Sequence, residues 1–377
     1  MKVAFTILLV VHGLLHAMGF LKAFGLAELP QLALPISRPF GVLWLLAALG
    51  TLGTAVALYA WPRGWWMVGA AALVVSQVAI VPSWADAKFG TVANALVLLG
   101  VAWGFLSSGP LSLRAEFERN VARGLSRSAT QALIHEEDLA RLPSPVQRYL
   151  RYVGVVGHPR VQSFRVRFTG RIRSGPNARW MPLTAEQYSF ADRPTRLFFM
   201  QARMFGLPVE ALHAYVDEHA SMRVKLVSLV PVVNARGPEF TGTETVTLFN
   251  DMCVMAPASL IDPAIRWEPF DATHTGATFT SAGHTISATL VFHDDGRLVD
   301  FVSDDRPALD KDGATLKPQR WSTPLSNYRA FGPYMLASRG ETRYQAPQGV
   351  YAYGDFAMEL IEYNVGAPNG SQLAPAR

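Results

Sequence analysis

Val161-Gln-Ser-Phe-Arg-Val-Arg-Phe-Thr-Gly-Arg-Ile172 places Phe164, Val166, Phe168 and Ile172 in alternation with Arg165, Arg167, Thr169 and Arg171. Successive side chains of a strand point to opposite faces, so this spacing predicts a half-buried antiparallel strand with one face on a core and the other in water. Similar runs follow at 179–190, 196–204, 209–217, 222–233, 273–280, 284–293, 297–303, 326–331, 335–345 and 350–363. Turn chemistry separates them: Arg173-Ser-Gly-Pro-Asn177, Asp192-Arg-Pro194, Gly206-Leu-Pro208, Ser281-Ala-Gly283 and Asp294-Asp-Gly296. The last predicts a hairpin between Leu290-Val-Phe292 and Leu298-Val-Asp-Phe301. About ten strands in roughly 220 residues predict one antiparallel sheet.

One segment breaks the period. Thr241-Gly-Thr-Glu244 has the form of a capping box, followed by Val246, Leu248, Phe249, Met252, Cys253 and Ala256, with Pro257 as a stop. A single apolar helix of about three turns amid strands predicts an α+β domain in which a curved sheet, a half-barrel, closes around the helix. Helix and sheet either fill each other as an ordinary core or leave an apolar groove, the usual seat of a greasy ligand. The candidates for lining such a groove are Phe198, Met200, Met204, Phe279 and Phe292 from the strands, Trp267 between them, and Phe249 and Met252 from the helix. Glu244 and Asp251 are seven residues apart and share one helix face. Buried there they need a partner such as Arg306, although two carboxylates on one face also suit acid–base work. Asp304-Asp305-Arg306 reads as a polar cluster closing a strand end.

The first third differs in kind. Uncharged runs cover 3–21, 39–62, 64–85 and 89–113, each long enough to cross a hydrocarbon layer of roughly 30 Å as a helix. Between them stand Pro30, Pro35 and Pro39, then Trp61-Pro-Arg-Gly64, then Pro82-Ser-Trp-Ala-Asp86, and Trp61, Trp65, Trp66 and Trp84 mark the ends where an indole prefers the headgroup layer. This predicts a four-span membrane bundle over 1–110, an amphipathic helical connector over 111–145 and the half-barrel over 146–377. The first run could alternatively be a cleaved signal peptide. With four spans, Lys2, Arg63, Arg114, Arg119, Arg123 and Arg127 share one side and Lys22, Arg38 and Lys88 the other. The positive-inside rule then sets the C-terminal domain in the cytoplasm of a bacterial inner-membrane protein. His12 and His16 lie one helical turn apart near mid-bilayer, either as metal, haem, quinone or proton-relay groups or as neutral imidazoles bonded to Gln77 or Asn94. Asp86 and Lys88 read as an interfacial ion pair.

Composition excludes several classes. Half the residues are apolar and only 17% are charged, which rules out a disordered chain. The net charge of +5 is not a nucleic-acid footprint, because residues 111–377 are nearly balanced and carry no basic run interleaved with aromatics. The one cysteine, Cys253, sits among apolar helix residues as a small core side chain and permits neither an internal disulfide nor a multi-cysteine metal site. Hydrolase elbow, phosphate loop and dinucleotide fingerprint are absent. His135-Glu-Glu137 lacks a second histidine, and Asp310-Lys-Asp-Gly313 has Trp321 where a calcium loop needs a glutamate.

Leu142-Pro-Ser-Pro-Val-Gln-Arg-Tyr149, Trp180, the helix from Glu244, Trp267-Glu-Pro-Phe-Asp271, Leu290-Val-Phe-His-Asp-Asp-Gly296, Asp304-Asp-Arg306 and Trp321-Ser-Thr-Pro324 together resemble an uncharacterised bacterial membrane-protein family. That resemblance implies no catalytic residue. The strand–helix–strand order and Asn327-Tyr-Arg-Ala-Phe-Gly-Pro-Tyr334 resemble the lipoprotein-carrier half-barrels of the LolA and LppX type, which implies an apolar cavity for acyl chains and a place outside the cytoplasm, opposite to the charge bias. His16-Ala-Met-Gly-Phe-Leu-Lys22 and Asp86-Ala-Lys-Phe-Gly90 loosely resemble DoxX-like four-span proteins. The expectation is a membrane-anchored binder of an apolar or lipid-like molecule, without metal or cofactor. The alternatives are a membrane oxidoreductase using His12 and His16, with haem, and a tethered scaffold for a protein partner.

Overall fold

A computed structural model describes residues 2–126, 132–310, 312–313 and 315–366, so Arg127 of the charge bias and part of the predicted connector lie outside the described residues. The chain forms two compact units, Met1–Glu116 and Phe117–Arg377.

In the first unit, α1 (Lys2–Ala23), α2 (Arg38–Ala60), α3 (Trp65–Ile80), a 3-10 turn (Val81–Ser83) running into α4 (Trp84–Ala87), and α5 (Gly90–Ser108) follow the uncharged runs. Among the described residues, four helical stretches are long and apolar enough to cross a membrane. Glycine lets the helices approach closely: a Cβ on Gly104 would stand 2.6 Å from Trp65 Cζ2. Leu14, Leu49, Val74 and Leu99 are exposed, whereas His12, His16, Ser76 and Asn94 are buried. Apolar side chains on the outside of the helices, with a polar cluster held inside beside an apolar core of Leu9, Leu58, Trp65, Val97 and Val101, depart from the pattern of a water-soluble bundle. Asp86 and Lys88 do not pair as expected. Asp86 accepts the Leu34 N–H at 2.7 Å, and the Lys88 ammonium lies over the Phe89 ring.

The second unit begins within α6 (Leu113–Leu125), whose Phe117 ring packs against Tyr188 and Phe199. After α7 (Glu136–Leu139) comes α8 (Ser144–Val153), which begins inside the predicted connector with Pro145 in its first turn. Proline is tolerated in a first turn, where its missing N–H would be unpaired anyway, and Gly154 at φ 85° closes the helix. Val146, Tyr149, Leu150 and Val153 form its buried face.

The strands are β1 (Ser163–Ile172), β2 (Met181–Phe190), β3 (Thr195–Met204), β4 (Leu207–Val216), β5 (His219–Leu226), β6 (Val230–Arg236), β7 (Ile265–Pro269), β8 (His274–Ser281), β9 (His284–Phe292), β10 (Leu298–Ser303), β11 (Ala308–Leu309), β12 (Leu316–Lys317), β13 (Arg320–Ser322), β14 (Leu325–Phe331), β15 (Tyr334–Ala346) and β16 (Gly349–Tyr363). Fourteen of them form one sheet in the order β6-β5-β4-β3-β2-β1-β16-β15-β13-β10-β9-β8-β7, with β14 also on β15, and β11 and β12 form a separate ribbon. The pairings are antiparallel. The run expected as one strand over 222–233 is broken by a turn in which Val227 and Ser228 take positive φ, giving β5 and β6. The alternation does not predict strands β7, β11, β12 and β13, which are too short for a period to show.

Helix α9 (Pro238–Met255) follows β6 at one edge of the sheet and, through a 3-10 turn (Pro257–Ile261), precedes β7 at the other. A segment joining opposite edges of a curved sheet has to cross its face. It starts at Pro238 rather than at Thr241: the Thr241 hydroxyl lies inside the helix, donating to the Gly237 carbonyl and accepting the Ala220 N–H, which ties α9 to β5. One stripe of α9 is core. Phe249 is fully buried, stacks on Phe279 at 5.1 Å and meets Phe301 edge-on. Phe292 packs on Tyr149, whose hydroxyl donates to the Cys253 carbonyl at 2.8 Å. Phe249, Phe279 and Phe292, candidate ligand contacts by sequence, are thus filled core because α9 presses this stripe directly onto β8–β10. Phe249→Ala is expected to cost about 3–5 kcal/mol, measured as a lowered melting temperature of the full chain.

Candidate ligand-binding site

Alternation along β1–β6 sends one set of side chains towards α9. From β2 and β3 these include Gln187, Arg196, Phe198, Met200 and Ala202, and from β4, β5 and β6 Val209, His213, Met222, Val224 and Val233. In register, Gln187, Phe198, His213 and Met222 stand side by side across four strands. Between this wall and α9 lies a cavity of about 630 Å³, within the size range of small-molecule pockets. Phe168, Ile172, Met181, Phe356 and Met358 extend its apolar side, and it reaches the β1–β2 loop at Ser174 and Pro176, both exposed.

The helix contributes a different stripe from the one in the core: Thr243, Glu244, Thr247, Asn250 and Asp251 at helical spacing. Burying these groups requires partners, which come from both arms of the sheet. Arg196 Nε donates to Asp251 Oδ2 at 2.6 Å, and Gln187 Nε2 donates to the same oxygen at 2.7 Å. Arg306, just beyond β10, donates to Thr247 Oγ1 at 2.8 Å and to the Tyr344 hydroxyl at 2.5 Å, and its Nη2 stands 3.4 Å from Glu244 Oε1. Its guanidinium lies 4.6 Å from the Trp321 ring centre, a cation–π contact, while Thr323 donates to Asn250 at 2.6 Å. Burial pushes the Tyr344 hydroxyl well up, so it remains protonated beside Arg306.

Of the residues singled out by sequence, Phe198, Met200, Glu244, Asp251 and Arg306 line the cavity. Met204 and Met252 are partly buried against apolar clusters outside the lining, and Trp267 packs on the core at the β7 edge with its indole N–H unpaired. Asp305 faces away and accepts the Ser287 N–H, while Asp304 holds Arg320 at 2.8 Å on the surface. Sequence reasoning missed Gln187, Arg196 and His213. The available signal was a polar residue standing in the apolar phase of a strand, as in Leu183-x-Ala185-x-Gln187 and Arg196-x-Phe198-x-Met200.

In the helical unit, His12 Nε2 lies 2.9 Å from Asn94 Oδ1 and His16 Nε2 2.7 Å from Ser76 Oγ, with the two Nε2 atoms 3.3 Å apart. Ser76 donates to Asn94, and Asn94 to Gln77. The pair is therefore knitted into neighbouring helices, and among the described residues no group of three His, Cys, Asp or Glu could hold a metal ion.

A family model described as a family of unknown function (DUF6544) matches residues 132–356. No curated protein matches the chain. Among solved structures, a LolA superfamily protein from Nitrosomonas europaea is 10% identical with a TM-score of 0.33, over 59% of this chain and 93% of that one. A DUF1329 family protein from Desulfovibrio piger is 12% identical with a TM-score of 0.35, over 59% and 93% respectively.

Burial alone would raise the Glu244 carboxyl, but His213 beside it, with Arg306 and Arg196, lowers it to about 2 from the ordinary 4.5. A carboxyl held low binds fewer protons folded than unfolded, so its contribution to stability is fully present above pH 4.5 and is lost as pH falls towards about 2. The melting temperature of the wild-type chain is expected to fall across that window more steeply than that of Glu244→Gln. Parallel curves would contradict this assignment.

Proposed function

Because this chain belongs to the DUF6544 family, a family of unknown function, its role has to come from its own geometry, and we propose that it is a membrane-anchored protein that binds an apolar or amphiphilic molecule. The observation that carries this reading is the cavity of about 630 Å³ between α9 and the wall built by Phe168, Phe198, Met200, Val209, Val224 and Phe356. An unfilled, apolar-walled space beside a polar stripe suits a ligand with a greasy body and a polar end. The helical unit supplies the anchor: its long helices expose apolar side chains such as Leu14, Leu49, Val74 and Leu99 and bury the bonded group His12, His16, Ser76 and Asn94, as a hydrocarbon surrounding requires. On the charge bias of Lys2, Arg63, Arg114, Arg119 and Arg123 against Lys22, Arg38 and Lys88, the sheet unit belongs to the cytoplasmic side of a bacterial inner membrane.

The full chain in lipid nanodiscs, irradiated with a diazirine-bearing alkane, tests the binding reading. Peptides containing Met200, Ala202 and Val224 are expected to be labelled alongside the membrane helices. Ala202→Trp, which fills the cavity from β3, is expected to abolish the sheet labels while those on the helices persist. Labelling confined to the helices in the wild type would overturn the proposal.

A further inference from the structure

Most of the polar stripe is tightly paired, but one corner is not. Asp251 Oδ2 receives two donors at 2.6 and 2.7 Å. Glu244 Oε2, on the cavity lining, has Arg196 Nη1 and His213 Nδ1 nearby, each at 3.8 Å. Both separations exceed hydrogen-bond reach, so Glu244 Oε2 and Arg196 Nη1 are not bonded to each other and can both be engaged by an oxygen standing off their line on the cavity side. The side chains of Glu244 and Arg196 are 5% and 9% exposed, so bulk water does not satisfy them.

The gap also sits where the apolar wall begins. Phe198 lies 5.2 Å from the Arg196 guanidinium and 5.9 Å from the His213 ring, with Met200 and Ala202 following on the same face of β3. A molecule laid along that wall would bring its end to Glu244. The permanent charges around this point already cancel, Arg196 and Arg306 against Glu244 and Asp251, with the His213 ring as a further titratable group beside Glu244. A charged end group would be left uncompensated in a buried site, which is costly. A hydroxyl both donates and accepts, matching a carboxylate on one side and a guanidinium on the other.

We propose that the cavity selects an uncharged amphiphile, an apolar chain ending in a hydroxyl, whose O–H donates to Glu244 Oε2 and whose oxygen accepts from Arg196 Nη1. This inference rests on the cavity binding an apolar ligand at all, and its test separates the two. Labelling of the cavity peptides by the diazirine-bearing alkane is competed at pH 7 with hexadecanol, palmitate, hexadecylamine and hexadecane, using the full chain in nanodiscs. Hexadecanol is expected to compete at least about tenfold better than the other three. In Glu244→Gln, which leaves the cluster one positive charge in excess, palmitate is expected to overtake it. In Arg196→Gln, with one negative charge in excess, hexadecylamine is expected to do so. Equal competition by all four, or a wild-type preference for palmitate or hexadecylamine, would overturn the hydroxyl assignment while leaving the binding proposal intact. Absence of any cavity label would defeat the binding proposal itself. The wild-type ranking needs no variant to fold.

Discussion

The ion pairs that Arg196 and Arg306 make with Asp251 and Glu244 are what allow α9 to lie inside the sheet. A helix buried on every side would ordinarily be apolar all round, and this one is not. Thr243, Glu244, Thr247, Asn250 and Asp251 occupy a full stripe of its surface. Without cations brought in from β3 on one arm and from the segment after β10 on the other, that stripe would leave two carboxylates in a poorly solvated interior. The pairing spans the two arms of the sheet, so it holds the helix at a fixed rotation, with Phe249 and Cys253 towards β8–β10 and the carboxylates towards β1–β5.

That rotation explains why the domain has both a solid half and a hollow half. On the β8–β10 side the space is taken by aromatic rings: Phe249 stacks on Phe279 and meets Phe301 edge-on, and Phe301 meets Trp321 edge-on. On the β1–β6 side, the inward residues include small ones, Ala185, Ala202 and Ala211, and the opposing helix stripe is made of short polar side chains. The two surfaces are joined through Arg196 and Gln187 on Asp251 and, near the start of the helix, through Thr241 on β5. The void follows from side-chain length on both walls.

Much of this was legible in the residues. Period-two alternation and turn chemistry gave the strand count of the long elements and the sheet's antiparallel character, and the uncharged runs gave four apolar helices. The helix amid the strands was visible, although its start was misread because Thr241 and Glu244 mimic a cap while Gly237-Pro238 is the true beginning. The cavity lining was only half visible. Phe198 and Phe249 look equivalent in sequence, both aromatic and both on inward phases, and only the rotation of α9 decides that one borders space and the other is core. Arg196 and His213 were hidden because a lone polar residue on an apolar phase carries meaning only once its partner across the sheet is known. Strands of two or three residues have no period to read.

The route of α9 from one sheet margin to the other makes it the chord of an arc. Eighteen helical residues span about 27 Å, and that length is inextensible on the scale of thermal motion. The arc can therefore neither flatten nor tighten without stretching the chord or tearing its anchors. The width of the hollow is braced by that rigid length, so that longer strands would deepen it whereas additional helical turns would broaden it.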